Sequence, residues 1–220
     1  FNLNAIYELP FGRGKEFFNQ GGLVDALLGG YQISTIIQAA SGPPVSILDP
    51  RGTLNRTGRS GRQTALTTLN KQQIKDLIGI YRTPNGVYFI NPSVIGPDGT
   101  ATGGNVNATP ENPAFQGQVF FNVPPGQTGN LERAFLNGPA YFTVDLGLSK
   151  RIRFTERVGL QLRAEAFNVL NRANFLLGTG TPDGAAGESS GIFNINNTNF
   201  GRITNSYTPR ILQFGARFEF

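Results

Sequence analysis

The stretch LQFGARFEF, Leu212 to Phe220, puts Leu212, Phe214, Ala216, Phe218 and Phe220 on one side of an extended chain and Gln213, Gly215, Arg217 and Glu219 on the other. Successive side chains of a strand point to opposite faces, so this alternation predicts a strand with one apolar and one polar face. The same period returns upstream, where Phe142, Val144, Leu146 and Leu148 oppose Tyr141, Thr143, Asp145, Gly147 and Ser149. It returns again at Val158, Leu160, Leu162, Ala164 and Ala166, set against Gln161, Arg163 and Glu165. The phase slips at Phe167, which predicts a bulge or the end of the strand. Two weaker runs lie nearer the amino terminus. Phe1, Leu3, Ala5, Tyr7 and Leu9 alternate up to Pro10, and Tyr31, Ile33, Thr35, Ile37 and Ala39 alternate with Ile36 as the exception. Period-two reading therefore predicts strands at about 1–9, 31–41, 140–152, 158–168 and 210–220.

The links between these strands differ sharply in length. A tight turn around Phe154, Thr155 and Glu156 joins the third to the fourth, and the segment from Phe11 to Gly30 joins the first to the second. The second and third are separated by a large loop over about 42–139, and the fourth and fifth by about 171–209, whereas loops beyond ~12–15 residues are uncommon in compact soluble domains. Outer-membrane barrels supply a reason, because their periplasmic turns are short and their extracellular loops long. On that topology the last strand runs inward and leaves Phe220 at the periplasmic rim, and the first strand runs the same way. Phe1, Tyr7, Tyr31, Phe142, Phe154, Phe214, Phe218 and Phe220 fall near strand ends or on the apolar face, as girdle aromatics do. A soluble antiparallel sandwich shares the alternation but does not call for such unequal links.

Composition agrees with strands and long loops. Of 220 residues 39% are apolar, below the usual range of about 45–50%, so a single dense core is not expected. Only 15% are charged, which argues against a solvated disordered chain. The chain has no Cys, His, Met or Trp. Zinc, haem and iron–sulfur ligation of the ordinary kinds, disulfides, and Ser–His–Asp or Cys–His catalysis are thereby excluded, so no enzyme and no cofactor is expected. Lacking an initiator Met, the sequence reads as a mature or partial piece of a longer product. No stretch reaches the ~18 apolar residues of a membrane-spanning helix; the best candidate, Leu23 to Ala40, is broken by Asp25, Gly29, Gly30, Gln32, Ser34 and Gln38.

Several local features stand as candidate sites. Arg51, Arg56, Arg59 and Arg62 form a loop run without an acidic residue, suited to lipopolysaccharide phosphates or another anionic ligand, although such runs are usually solvated loops. The net charge of +5 admits an acidic partner, but no aromatic residues interleave with the arginines and no nucleic-acid role is expected. Asp145, Arg163, Glu165 and Arg217 share the predicted polar wall, where they would contact a solute or, more simply, pair with one another across strands. Asn70 to Gly79 reads as a short helix, with Asn70 and Gln73 at capping positions and Ile74, Leu77 and Ile78 on one face. It would form a lid or bury its apolar side in its own loop. Asp98-Gly99 and Asp183-Gly184 are turn signals rather than calcium sites.

Beyond periodicity, the chain resembles a known family. GNLERAFLNGPAYFTVDLGLSKRIRF (Gly129 to Phe154), LQLRAEAFNVLNRANF (Leu160 to Phe175), NFGRITNSYTPRILQFGARFEF (Asn199 to Phe220) and, upstream, YELPFGRGK followed by LLGGYQIS look like the end of a TonB-dependent outer-membrane transporter. The likeness is to the Oar-like type, whose barrel follows a carboxypeptidase-regulatory-like domain. Such transporters have barrels of about 22 strands around a plug. The resemblance implies an all-β, antiparallel transmembrane barrel fragment, the last five strands of that barrel, with long extracellular loops. It implies import of a large or scarce solute, with energy relayed by the TonB system through parts not present here. The terminal pattern of Leu212, Phe214, Phe218 and Phe220 resembles the signature by which the barrel-assembly machinery recognises its clients. Outer-membrane lipid and lipopolysaccharide would then be the surrounding partners. The alternatives at this stage are a plug-less porin or surface adhesin, or a secreted carbohydrate-binding β-sandwich.

Overall fold

The computed structural model describes residues 1–54, 63–155, 157–177 and 192–220. They divide into two compact units: residues 1–40, 141–174 and 208–220 form the first, residues 41–140 and 175–207 the second.

The first unit is a five-stranded antiparallel sheet of β1 (Asn2–Glu8), β2 (Tyr31–Ala40), β3 (Tyr141–Arg153), β4 (Gly159–Phe167) and β5 (Ile211–Glu219), each hydrogen-bonded to its neighbour in that order. Every ladder is in phase. Leu3 faces Ile37, Ile37 faces Val144, Leu148 faces Ala164, and Ala164 faces Phe214. Because the side-chain period is two, this register assembles the apolar side chains of all five strands on one face. The polar face carries Gln32, Ser34, Ser149, Gln161, Arg163 and Gln213, with Ile36 and Ile6 as apolar exceptions. The link between β3 and β4 closes tightly: Phe154 N and Thr155 N both donate to Val158 O, and Thr155 Oγ1 accepts from Val158 N at 3.0 Å. β4 stops at Phe167 because Asn168 adopts φ 50°, a left-handed conformation that Asn tolerates better than most residues.

The link between β1 and β2 holds the short helix α1 (Leu23–Leu28). No helix among the described residues is long and apolar enough to cross a membrane.

The second unit corrects the expectation of two open loops. The connections between β2 and β3 and between β4 and β5 fold together. Gly86–Ile90 from the first pairs with both Ile78–Thr83 and Arg202–Ile203, the latter from the second connection. Leu48 N donates to Phe193 O at 2.8 Å and Ile195 N to Leu48 O at 3.1 Å, again joining the two connections. The core contains Val45, Ile47, Ile74, Ile90, Phe120, Phe193, Ile195 and Phe200, all at most 1% exposed. A dense core therefore exists, contrary to the composition argument. It escaped that argument because its members are scattered over short strands, a helix and turns instead of forming one long periodic run.

α2 (Lys71–Asp76) has the expected capping box: Asn70 Oδ1 accepts from Gln72 N and Gln73 N, and Gln73 Oε1 accepts from Asn70 N. It ends earlier than the spacing suggested. Ile78 and Gly79 already belong to the strand Ile78–Thr83, and Ile74, Leu77 and Ile78 pack into the unit's own core.

Every buried apolar side chain among the described residues lies in the second unit. The sheet's apolar face has none, and Leu212, Phe214 and Phe218 are 59%, 78% and 58% exposed. A soluble sandwich covers one face of its sheet with another sheet. Among the described residues no protein layer covers it, which argues against the secreted-sandwich alternative.

Candidate functional site

The sheet is a wall with two chemistries. Its apolar side presents Leu3, Ile33, Leu146, Leu148, Leu162 and Phe214, all substantially exposed, and so presents to its surroundings what a soluble protein hides. Its polar side carries the side chains named beforehand as lining a lumen. Arg163 faces Gly215, Glu165 stands between Gly147 and Gln213, and Arg217 faces Gln161.

Among the described residues these polar side chains do not form the cross-strand ion pairs expected of them. Arg217 Nε meets Glu219 Oε1 at 3.6 Å along the same strand, with the arginine side chain 71% exposed, so the pair contributes little. Arg163 Nη2 donates to Gln161 Oε1 at 3.4 Å, also within its strand. Arg163 has Ser149 across from it on β3 and Gly215 on β5, neither of which offers it a carboxylate. Asp145 works locally. Its Oδ1 accepts Asn168 N at 2.8 Å and Thr143 Oγ1 at 3.3 Å, tying the end of β4 to β3. Asn168 in turn donates to Arg172 O and Thr208 O and accepts Arg172 N, so this corner is closed by side-chain amides.

At the end of the sheet carrying the short connections, the polar face opens into a basin of about 640 Å³ lined by Glu8, Arg13, Lys15, Asp25, Arg151 and Arg153 among others. Lys15 Nζ donates to Glu8 Oε2 at 2.7 Å, and Asp25 Oδ1 accepts Arg13 N at 2.7 Å. Arg151 and Arg153 stand exposed on the same face. Sequence reasoning passed over them because it stopped the alternation at Ser149. Two steps further, the same phase gives Arg151 and Arg153 on the polar side and Lys150 on the apolar one.

Of the arginine run, Arg51 is committed to a structural role. Its Nε and Nη2 each lie 3.1 Å from an oxygen of Asp49, a carboxylate with no exposure, and Nη2 also donates to Val123 O. Arg56, Arg59 and Arg62 lie outside the described residues, as does Asp183-Gly184. Asp98 forms a turn, its Oδ1 accepting Thr100 N at 3.1 Å and Thr100 Oγ1 at 3.0 Å. Among the described residues no group of three or more acidic side chains could hold a metal ion.

Chemically the arrangement partitions media. It separates an oily side from a wet one and attaches to that wall a folded unit with its own core. No curated protein and no solved structure matches the chain. The family described as outer membrane beta barrel domain matches it over residues 1–213. With a two-faced antiparallel sheet whose apolar side is left bare, and a family match across nearly its whole length, the chain belongs to the outer membrane beta barrel domain family and resides in the bacterial outer membrane.

Proposed function

We propose that this chain forms the carboxyl-terminal wall of a TonB-dependent importer for a large or scarce solute. The observation that supports it best is the direction of the sheet's edges. β1 and β5 both run from the long-connection end to the short-turn end, so antiparallel closure takes an odd number of further strands. That fits one share of a large, even-stranded barrel. The folded second unit adds support. A porin rim needs no core of its own, whereas a platform that presents ligand-binding residues does.

On this reading the long connections face outward and the short ones the periplasm. Solute meets the long connections, in which the run of Arg56, Arg59 and Arg62 suits an anionic ligand or lipopolysaccharide phosphate by its sequence. Arg163, Glu165 and Arg217 then line its path past a plug that the TonB system displaces. The barrel-assembly machinery engages the last strand through Leu212, Phe214, Phe218 and Phe220, and lipid covers the apolar face. No catalysis and no cofactor enter the scheme.

The test is conductance and energy dependence together. Purified from outer membranes into planar bilayers, the protein should be electrically silent until its plug is unfolded by urea. In cells, its deletion should add nothing to the uptake defect of a strain lacking the TonB protein. Steady open-pore conductance without denaturant, or uptake that persists without TonB, would reassign it as a plug-less porin.

A further inference from the structure

The apolar face of β3 runs Phe142, Val144, Leu146, Leu148, Lys150, Ile152, and Lys150 is the one charged residue in it. It stands between Tyr31 on β2 and Leu162 on β4. Its Nζ lies 4.0 Å from the centre of the Tyr31 ring and donates to Leu27 O and Gly29 O, both at 2.9 Å. An ammonium has three N–H donors, and with two spent on carbonyls the third has only the Tyr31 ring as a partner. No carboxylate lies within ion-pairing distance of it among the described residues. A cation on the side of the sheet that faces hydrocarbon is costly unless it reaches the interface or finds an anion there.

Beside it the same face is hollowed. A trough of about 550 Å³ is bordered by Tyr31, Leu148, Lys150, Leu162 and Phe214, with Ala164 and Ala216 among its lining. Ala164 is flanked in register by Leu148 and Phe214, and Ala216 lies opposite Leu162, so small side chains form a floor between large ones. An apolar channel that ends at an unpaired ammonium beside an aromatic ring has the chemistry of one acyl chain with its phosphate.

We infer that this trough is a seat for a glycerophospholipid, its acyl chain over Ala164 and Ala216 and its phosphate on Lys150 Nζ. The lipid is a phospholipid and not lipopolysaccharide because Lys150 sits at the short-turn end of β3. That leaflet assignment rests on the proposed orientation, in which short turns face the periplasm. The N–H not held by a carbonyl supplies a charge-assisted hydrogen bond to phosphate beside the Tyr31 ring, while the two carbonyl contacts fix where the ammonium points.

Native mass spectrometry of the protein purified from outer membranes, with phosphatidylglycerol or lipopolysaccharide added separately, tests this. The wild type should retain one phosphatidylglycerol. Lys150→Gln should lower that retention about tenfold, the equivalent of one hydrogen bond to a charged group, and Lys150→Arg should restore most of it. Ala164→Leu should also lose the lipid by filling the trough while leaving Lys150 in place, with Ala164→Val used if the larger side chain blocks assembly. Only heat-modifiable, folded protein is compared. Equal phosphatidylglycerol retention by wild type, Lys150→Gln and the Ala164 variant overturns the seat. Retention of lipopolysaccharide in preference to phosphatidylglycerol overturns the leaflet. Lipid retention requires no transport, so an importer reading that fails on conductance leaves this result standing, and the reverse holds too.

Discussion

Asn122 and Asn196 meet head to tail: Nδ2 of Asn122 donates to Oδ1 of Asn196 at 3.0 Å, and Nδ2 of Asn196 donates to Oδ1 of Asn122 at 2.8 Å. One residue comes from the connection after β2 and the other from the connection after β4. The reciprocal pair thus binds two chain segments 74 residues apart in sequence, and Asn122 is only 6% exposed where it does so.

Replacing Asn196 by Ala leaves the buried Asn122 amide without this partner, at a cost of about 1–3 kcal/mol; Asn122→Ala should cost less, because Asn196 is only half-buried and keeps Thr102 Oγ1 as a donor to its Oδ1. Asn122→Ala and Asn196→Ala should each make the second unit sensitive to trypsin while the sheet remains heat-modifiable. The double variant should lose less than the sum of the two single losses, as contacting partners do. Additive losses in a proteolysis-based stability assay would show that the pair does not couple the segments.

Arg51→Ala should destabilise the second unit by about 3–5 kcal/mol, since it strands the buried Asp49 carboxylate without its countercharge. Asp49→Asn should cost less, because an amide oxygen still accepts Val123 N, now at 2.8 Å from Asp49 Oδ2. Thermal unfolding of the two variants decides the order. An Arg51→Ala protein as stable as wild type would return that side chain to the pool of free anion-binding groups.

Gly30 immediately precedes β2 at φ +70°, and a Cβ there would collide with Arg151 O. Gly30→Ala therefore combines left-handed strain of about 1–2 kcal/mol with a backbone collision next to the Arg151 N to Gly30 O bond of 2.9 Å. Less folded barrel should be recovered from outer membranes. Gly14→Ala is the control, because φ is +77° but nothing lies within 4 Å of its Cβ. Equal recovery of both variants would leave only the dihedral at fault.

Phe220 is 97% exposed and makes no core contact, so the fold of the described residues does not depend on it. Its deletion should lower the amount of protein inserted in the outer membrane severalfold and leave synthesis unchanged, as measured by heat-modifiable against total protein. Undiminished insertion would remove Phe220 from any recognition role.

Period two made the sheet legible. The observed strands Tyr31–Ala40 and Ile211–Glu219 lie within a residue of the alternating runs, because a face that must be uniformly oily leaves its mark at every second position. The capping box at Asn70 and Gln73 was legible for a similar reason, since its two hydrogen bonds need fixed spacing. The second unit was not. Apart from the hairpin of Ile78–Thr83 and Gly86–Ile90, whose register is interrupted between Ile78 and Tyr81, its described pairings, such as Leu48–Asp49 with Gln63–Thr64 or Leu66–Thr67 with Phe120–Phe121, are only two residues long and carry no period. The buried role of Arg51 was equally hidden, because the charge run around it looks solvated and its partner Asp49 differs from an ordinary loop aspartate only through contacts distant in sequence.

The interleaved origin of the second unit has a consequence for biogenesis. Its core draws on residues 41–140 and again on 175–207, with the β3–β4 hairpin threaded between them in the chain. The earlier segment alone lacks Phe193, Ile195 and Phe200, so its core is complete only when the later segment joins it. Pairing so remote in sequence is slow. Loss of the later segment costs the earlier one part of its core, so the two connections stand or fall together.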